Sequence, residues 1–235
     1  MKYAVISDIH SNIEALITVM REIHKKHVDE IICLGDVIGY GANPDEVAEI
    51  VRNEVKYTVR GNHDDALHDE STYSVINPYA RTAIDFSRGV LSEENSDWLK
   101  DLPITHKLGD VLLVHSSPSE PHEWKYIFTE SEARVELSAF EERICLIGHT
   151  HVPVMFKHEI GGSSEEGSGR IRELINVGSV GQPRDGDKRA SYGIIDTSDF
   201  TYENFRVEYD CRLAGNKIIA CGLPPFLAER LQKGR

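Results

Sequence analysis

Lys2-Tyr3-Ala4-Val5-Ile6-Ser7-Asp8-Ile9-His10 is a short apolar run that ends on a carboxylate and an imidazole. The apolar part is too short for a helix and reads as a buried strand. The same order returns along the chain. Ile31-Ile32-Cys33-Leu34 leads into Gly35-Asp36, and Lys56-Tyr57-Thr58-Val59-Arg60 into Gly61-Asn62-His63-Asp64. Val111-Leu112-Leu113-Val114 leads into His115, and Ile144-Cys145-Leu146-Ile147 into Gly148-His149-Thr150-His151. Oxygen and imidazole groups are thus delivered repeatedly to the carboxyl ends of strands, where open α/β sheets build their sites. One match of this kind carries little weight; the ordered series points to a shared site.

Helices are expected between these strands. Ser11 and Asn12 offer caps to a helix reaching about His27, with Ile13, Leu16, Ile17, Met20 and Ile23 at helical spacing. Asn43-Pro44 opens another through Val51. Strand–helix–strand alternation implies a parallel sheet. The stretch 65–101 changes character: Asn77-Pro78 begins a helix through Phe86, Glu93–Leu99 reads as a second, and no strand falls between. It is expected to be a helical insertion near the site. Further strands are expected at 104–107, 111–115, 144–148, 152–158, 171–177, 191–196 and 200–208. Helices are expected at 129–140, at 211–220 and after Pro224-Pro225. Gly161–Gly169, GGSSEEGSG, reads as the tip of a hairpin. The expected architecture is α/β, two sheets packed face to face with helices outside, in one domain over 1–235.

Composition narrows the function. The chain has 235 residues, 40% hydrophobic and 28% charged, which is ordinary for a globular protein with a real core. Its formal net charge of −13 repels polyanions at long range, so long nucleic acid is a poor partner. No apolar stretch approaches the ~20 residues of a membrane span, and the N-terminal segment lacks signal-peptide character. A cytoplasmic protein with reduced thiols is expected. Cys33 and Cys145 read as small buried hydrophobes, while Cys211 and Cys221 flank a helix-like stretch and could pair.

The ligand-type residues carry chemistry as a set. Asp8 and His10 are two apart, and in an extended segment such positions point the same way. Asp36 follows a glycine that permits a tight turn, and its two oxygens could bridge two metals. Asn62 offers a neutral carbonyl oxygen; His115, His149 and His151 add imidazoles. These side chains are too many for one tetrahedral zinc and suit two metals with shared ligands. Two divalent cations against two carboxylates leave about +2, and a bridging hydroxide about +1, which suits a phosphodiester. Nitrogen and oxygen ligands without thiolate favour Mn, Fe, Zn, Co or Ni over Ca.

The order D-x-H, G-D, G-N-H-D, H, G-H-x-H resembles the calcineurin-like metallophosphoesterase superfamily, most of all its compact bacterial and archaeal phosphodiesterase branch. The motifs span residues 8–151, about two thirds of the chain. The resemblance implies a four-layer α-β-β-α sandwich of two mixed sheets and a dinuclear site. It gives one metal to Asp8, His10, Asp36 and His151, and the other to Asp36, Asn62, His115 and His149. It makes His63 the proton donor to the leaving group, with Asp64 a candidate to orient it. The protein serine/threonine phosphatases show a pattern resembling G-D-x-x-D-R-G; here Gly39 and Tyr40 replace its second Asp and its Arg, which argues against that activity. Some small relatives lack the histidine found here as His63 and serve on activated diesters or as scaffolds.

The expectation is therefore a phosphodiesterase of a small phosphate ester, nucleotides included, with two divalent ions, Mn first, whose bridging hydroxide attacks phosphorus. A phosphomonoesterase, a dinucleoside polyphosphate hydrolase and a non-catalytic metal-bound interaction module are the alternatives. Two readings stay open for Asn176–Asp187: a glycine-rich turn, or amides near the site with Arg184 on a substrate phosphate. Tyr40 either packs or meets substrate. Trp98 and Trp124 read as core. His24, His27, His68, His106, His122 and His158 read as surface or structural.

Overall fold

Alternation along the first strand sets the layering. β1 (Lys2–Ile6) turns Tyr3 and Val5 towards one apolar core and Ala4 and Ile6 towards another. A strand buried on both faces must be apolar at successive positions, as this one is. The computed structural model describes residues 1–160 and 170–235; the hairpin tip expected over 161–169 lies outside the described residues.

β1 pairs in parallel with β2 (Glu30–Cys33), which pairs in parallel with β3 (Tyr57–Thr58). On the other side of β1 the chain returns antiparallel. β9 (Ala190–Asp196) and β10 (Thr201–Val207) complete a five-stranded sheet in the order β10-β9-β1-β2-β3. The second five-stranded sheet has the order β4-β5-β6-β8-β7. Within it β5 (Val111–Val114), β6 (Ile144–Ile147) and β8 (Arg170–Asn176) run parallel. β4 (Thr105–Leu108) and β7 (Val154–Ile160) are antiparallel edges. Val5, Ile32, Leu34 and Val59 of the first sheet region meet Val111, Leu113, Leu146 and Ile175 of the second in one buried cluster.

Helices cover the outer faces. α1 (Ile13–His24) and α2 (Pro44–Glu54) pack on the first sheet. The Asn12 side chain caps α1, accepting from Ala15 N–H at 3.1 Å. α7 (Glu130–Glu136), shorter than the expected 129–140, packs with Phe140 on Leu112, Val114, Cys145 and Ile147 of the second sheet. α8 (Cys211–Ala220) and α9 (Pro225–Lys233) bury a common face against Tyr40, Ala80 and Ala83. The result is the expected α-β-β-α sandwich of two mixed sheets. The helical stretch after the third motif holds α3 (Asn62–Ala66), α4 (Glu70–Val75), α5 (Pro78–Val90) and α6 (Glu93–Lys100). It starts inside the ligand motif, at Asn62. The four cysteines are free thiols.

Candidate metal centre

The ligand motifs sit on loops just past β1, β2, β3, β5 and β6, and their backbones are unusual. Asp8, His10, Asp36, His149 and His151 all have positive φ, between 50° and 68°. Non-glycine residues are uncommon in this region, and each such position stores about 1–3 kcal/mol. Asp8 and His10 therefore converge through a left-handed turn, not through the extended segment expected from their spacing. Neighbouring loops hold these turns. Asp8 N–H donates to Gly35 O and His10 N–H to Asp36 O, both at 3.0 Å. Ser179 Oγ donates to Asp8 O at 2.8 Å, and Gly181 N–H to the same oxygen at 3.0 Å. The 176–187 segment thus supports the site's backbone directly.

Asp64 has a different task from the one its place beside His63 suggested. Its Oδ1 accepts from Val37 N–H (3.0 Å) and Ile38 N–H (3.2 Å), and its Oδ2 from Gly61 N–H (3.0 Å). It ties the second and third motif loops together and leaves the His63 ring alone. That ring packs edge-on to His10 at 4.7 Å and against Tyr40 at 4.5 Å. Gly39, at φ +99°, leaves the space: a β-carbon there would overlap His63 Nδ1.

The buried side chains form two groups that share Asp36. Asp8, His10, Asp36 and His151 bring potential ligand atoms within 4.8 Å of one another, and so do Asp36, His115 and His149. Asp36 Oδ2 lies 3.5 Å from His10 Nε2 and 3.4 Å from His115 Nε2. Asp8 Oδ1 lies 3.3 Å from His151 Nε2. The other oxygen of Asp36 accepts from His63 N–H at 2.8 Å.

Orientation of the imidazoles decides what the cluster can hold. His10 Nδ1 faces Ile38 O (3.2 Å), His115 Nδ1 faces Leu34 O (2.7 Å) and His151 Nδ1 faces Gln182 O (2.6 Å). A carbonyl only accepts, so each Nδ1 carries a proton and each Nε2 points inward. His149 is reversed: its Nε2 donates to Trp124 O at 2.8 Å, leaving Nδ1 as acceptor. His10 Nε2 and His151 Nε2 then meet at 3.1 Å, lone pair against lone pair. Asn62 Oδ1 and His115 Nε2 are buried without a hydrogen-bond partner. Converging acceptors with no donor between them fit a cation.

Electrostatics agree. Burial lowers His10 and His151 well below the usual imidazole range and His149 to about 3, so all three are neutral ligand forms at pH 7. Burial raises Asp8 to about 6. Burial also pushes Asp36 upward, but His115, His63 and His10 outweigh it and hold the carboxyl well below its ordinary value. Burial would lower His115, yet Asp36 and Asp8 raise it to about 9. In the metal-free protein the two carboxylates thus hold a proton on His115, which a cation at this place would displace.

The calcineurin-like phosphoesterase superfamily domain matches residues 1–199. The chain belongs to that family. An uncharacterized protein of Methanocaldococcus jannaschii is 40% identical over 240 residues, covering 99% of this chain and 98% of that one. A metallophosphoesterase of Sphaerobacter thermophilus has a solved structure that is 37% identical, with a TM-score of 0.86 over 100% of this chain and 99% of its own. A hypothetical protein of Pyrococcus horikoshii, 21% identical, shares the fold at a TM-score of 0.85 over 100% and 98% of the two chains. This phosphoesterase is accordingly a hydrolase, and family and cluster together point to divalent metal binding.

Around the phosphoesterase's cluster lies a cavity of about 280 Å³ bordered by Asn62, His63, His149, Tyr40, Trp124 and Tyr126. Trp124, expected in the core, stands at this wall: its carbonyl orients His149 and its ring meets His115 edge-on at 6.1 Å. Tyr126 stacks on His149 at 4.1 Å. Neither was legible, because residues 116–128 have no periodicity and no motif. Trp98 does pack against the main core. Tyr40 is 5% exposed, so its ring packs between His10 and His63 with only an edge on the cavity. Arg184 donates to Gln182 Oε1 at 2.9 Å and lies 5.7 Å from the Tyr40 centroid. The six remaining histidines, exposed or half-buried, join neither ligand group. No helix among the described residues is long and apolar enough to cross a membrane.

Proposed function

We propose that this phosphoesterase is a dinuclear-metal phosphodiesterase acting on small phosphate esters, nucleotides among them, in the cytoplasm. The sharing of Asp36 between two groups of converging acceptors carries this reading. Asp8, His10, Asp36 and His151 would hold one cation; Asp36, Asn62, His115 and His149 would hold the other. The nitrogen and oxygen donor set suits Mn first, with Fe, Zn, Ni or Co as alternatives. Bound cations supply an activated water and positive charge for the phosphate oxygens.

The chain's own residues do the rest. The backbone carbonyls of Ile38, Leu34, Gln182 and Trp124 fix the imidazoles before any ligand arrives, so little reorganisation accompanies binding. Arg184 offers guanidinium N–H groups to a phosphate oxygen. His63 donates a proton to the departing alkoxide. Burial lowers its pKa to about 4, so the free protein holds it neutral. An anionic phosphoryl group beside the ring raises that value and loads the proton where it is used. The cavity next to His63 gives room for the second substituent of a diester.

Metal analysis tests the shared ligand. Asp36→Asn should lose both equivalents after dialysis, whereas His149→Ala should retain one. Full retention of two equivalents in Asp36→Asn would refute the bridging role.

A further inference from the structure

One feature of the mouth goes beyond the cleavage of an ordinary diester. Arg184 and Arg230 come from different elements, yet both lie against the Tyr40 ring, at 5.7 Å and 5.9 Å from its centroid. The helix end that carries Arg230 is fastened to the loop that carries Arg184. Gly186 N–H donates to Gly234 O at 2.9 Å, and Gly234, at φ +62°, lies so close to the Asp187 backbone that a β-carbon would sit 2.7 Å from it. Arg230 Nε donates to Arg235 O at 2.6 Å, which fixes the side chain.

Nearby acids are engaged elsewhere. Asp185 pairs with Arg206, Asp187 with Arg189 at 2.6 Å, and Glu229 with Lys233 at 3.6 Å. Among the described residues neither Arg184 nor Arg230 makes an ion pair with an Asp or Glu side chain, and Arg230 is held through its Nε by Arg235 O. Burial and the neighbouring Arg184 both lower the pKa of Arg230. In a chain of net charge −13, two neighbouring guanidinium groups without an Asp or Glu partner are a local exception. Arg230 is also reachable. Arg230 borders an open cavity of about 550 Å³, and Asn77 lines both this cavity and the one beside His63.

We propose that Arg230, set beside Arg184, forms a subsite for a second, non-reacting phosphate of the substrate. This rests on the phosphodiesterase reading and narrows it. Arg184 serves the phosphoryl group that reacts, and Arg230 takes the next phosphate along, each through the planar fork that fits phosphate oxygens. The favoured substrate is then a phosphate ester that carries further phosphate, such as a nucleotide phosphorylated at two positions, and not a singly charged diester.

The test uses the metal-loaded protein and two substrates with one leaving group: thymidine 5′-(p-nitrophenyl phosphate) and the same compound bearing a 3′-phosphate. The wild type should prefer the 3′-phosphorylated compound by roughly tenfold or more in kcat/KM. Arg230→Gln should bring that preference close to unity, and Arg230→Lys should restore part of it, with melting temperature and metal content unmoved. Calorimetry should show the same preference for thymidine 3′,5′-bisphosphate over thymidine 5′-monophosphate. A wild-type preference near unity, or one that survives Arg230→Gln, overturns the subsite and leaves the diesterase standing. Failure to turn over either compound overturns both.

Discussion

His63 stands beside the cavity with an unpartnered Nδ1 and a pKa of about 4 in the free protein. Its proposed role predicts a dependence on leaving group. His63→Ala should keep both metals and lose roughly 100-fold or more in kcat on an alkyl diester. It should lose much less on a p-nitrophenyl ester, which departs without help; equal losses on the two would rule out proton donation. Gly39 gives a second check at this scale. Ala there meets a positive φ, costing about 1–2 kcal/mol, and displaces the His63 ring. Gly39→Ala should therefore mimic His63→Ala in leaving-group dependence while retaining metal; an unchanged dependence would show that the ring has other room. The residue types of the cluster were legible because carboxylate, amide and imidazole recur at strand ends. Their conformation was not: nothing local to Asp8-Ile9-His10 signals two left-handed residues, which the Gly35 and Asp36 carbonyls hold from across the sheet. The task of Asp64, only a candidate to orient His63, was hidden for the same reason, two of its partners lying 26 and 27 positions away in the chain.

Elements with strong periodicity read well from sequence, and weak ones did not. α1 and α2 have caps and an apolar stripe, and they formed close to the expected bounds. α4 was missed because Glu70-Ser71-Thr72-Tyr73-Ser74-Val75 lacks helix formers; it stands on the Asp69 cap, which accepts from Thr72 N–H at 2.9 Å, and on packing beside α3. Trp124 was read as core and Arg230 was not singled out, because a loop carbonyl and a helix-borne arginine leave no motif. Asn12 joins element to site: its Oδ1 caps α1 and its Nδ2 donates to Gly181 O at 2.8 Å. Asn12→Ala should cost about 1–3 kcal/mol in urea unfolding, the cap and the buried bond together. A loss below about 0.5 kcal/mol would mean that water replaces both bonds.

At the scale of the molecule, the strand–helix alternation and the two-sheet sandwich were legible, but sheet membership was not. β9 returns to pair with β1 from 190 residues on, and β8 inserts between β6 and β7; both are long-range choices invisible to local pattern. The buried cluster also makes whole-protein stability depend on pH. Burial depresses His10, His63, His149 and His151, so between about pH 4 and 6.5 the unfolded chain binds protons there that the folded chain does not. Their stabilisation is complete above 6.5 and is lost as pH falls. Asp8 and Asp64, raised by burial to about 6 and about 7, and His115, raised by the two carboxylates to about 9, act in the opposite sense but are outnumbered by the four depressed histidines. Chelated protein should thus melt lower at pH 5 than at pH 7, and restoring metal at pH 7 should raise the melting temperature by roughly 10 °C or more. A metal-free protein that melts higher at pH 5 would contradict the buried neutral imidazoles. The most direct measurement is hydrolysis of bis(p-nitrophenyl) phosphate beside p-nitrophenyl phosphate as Mn is titrated into chelated protein. A dinuclear phosphodiesterase predicts turnover that favours the diester and saturates at two equivalents; no turnover of either ester with two equivalents bound would contradict it.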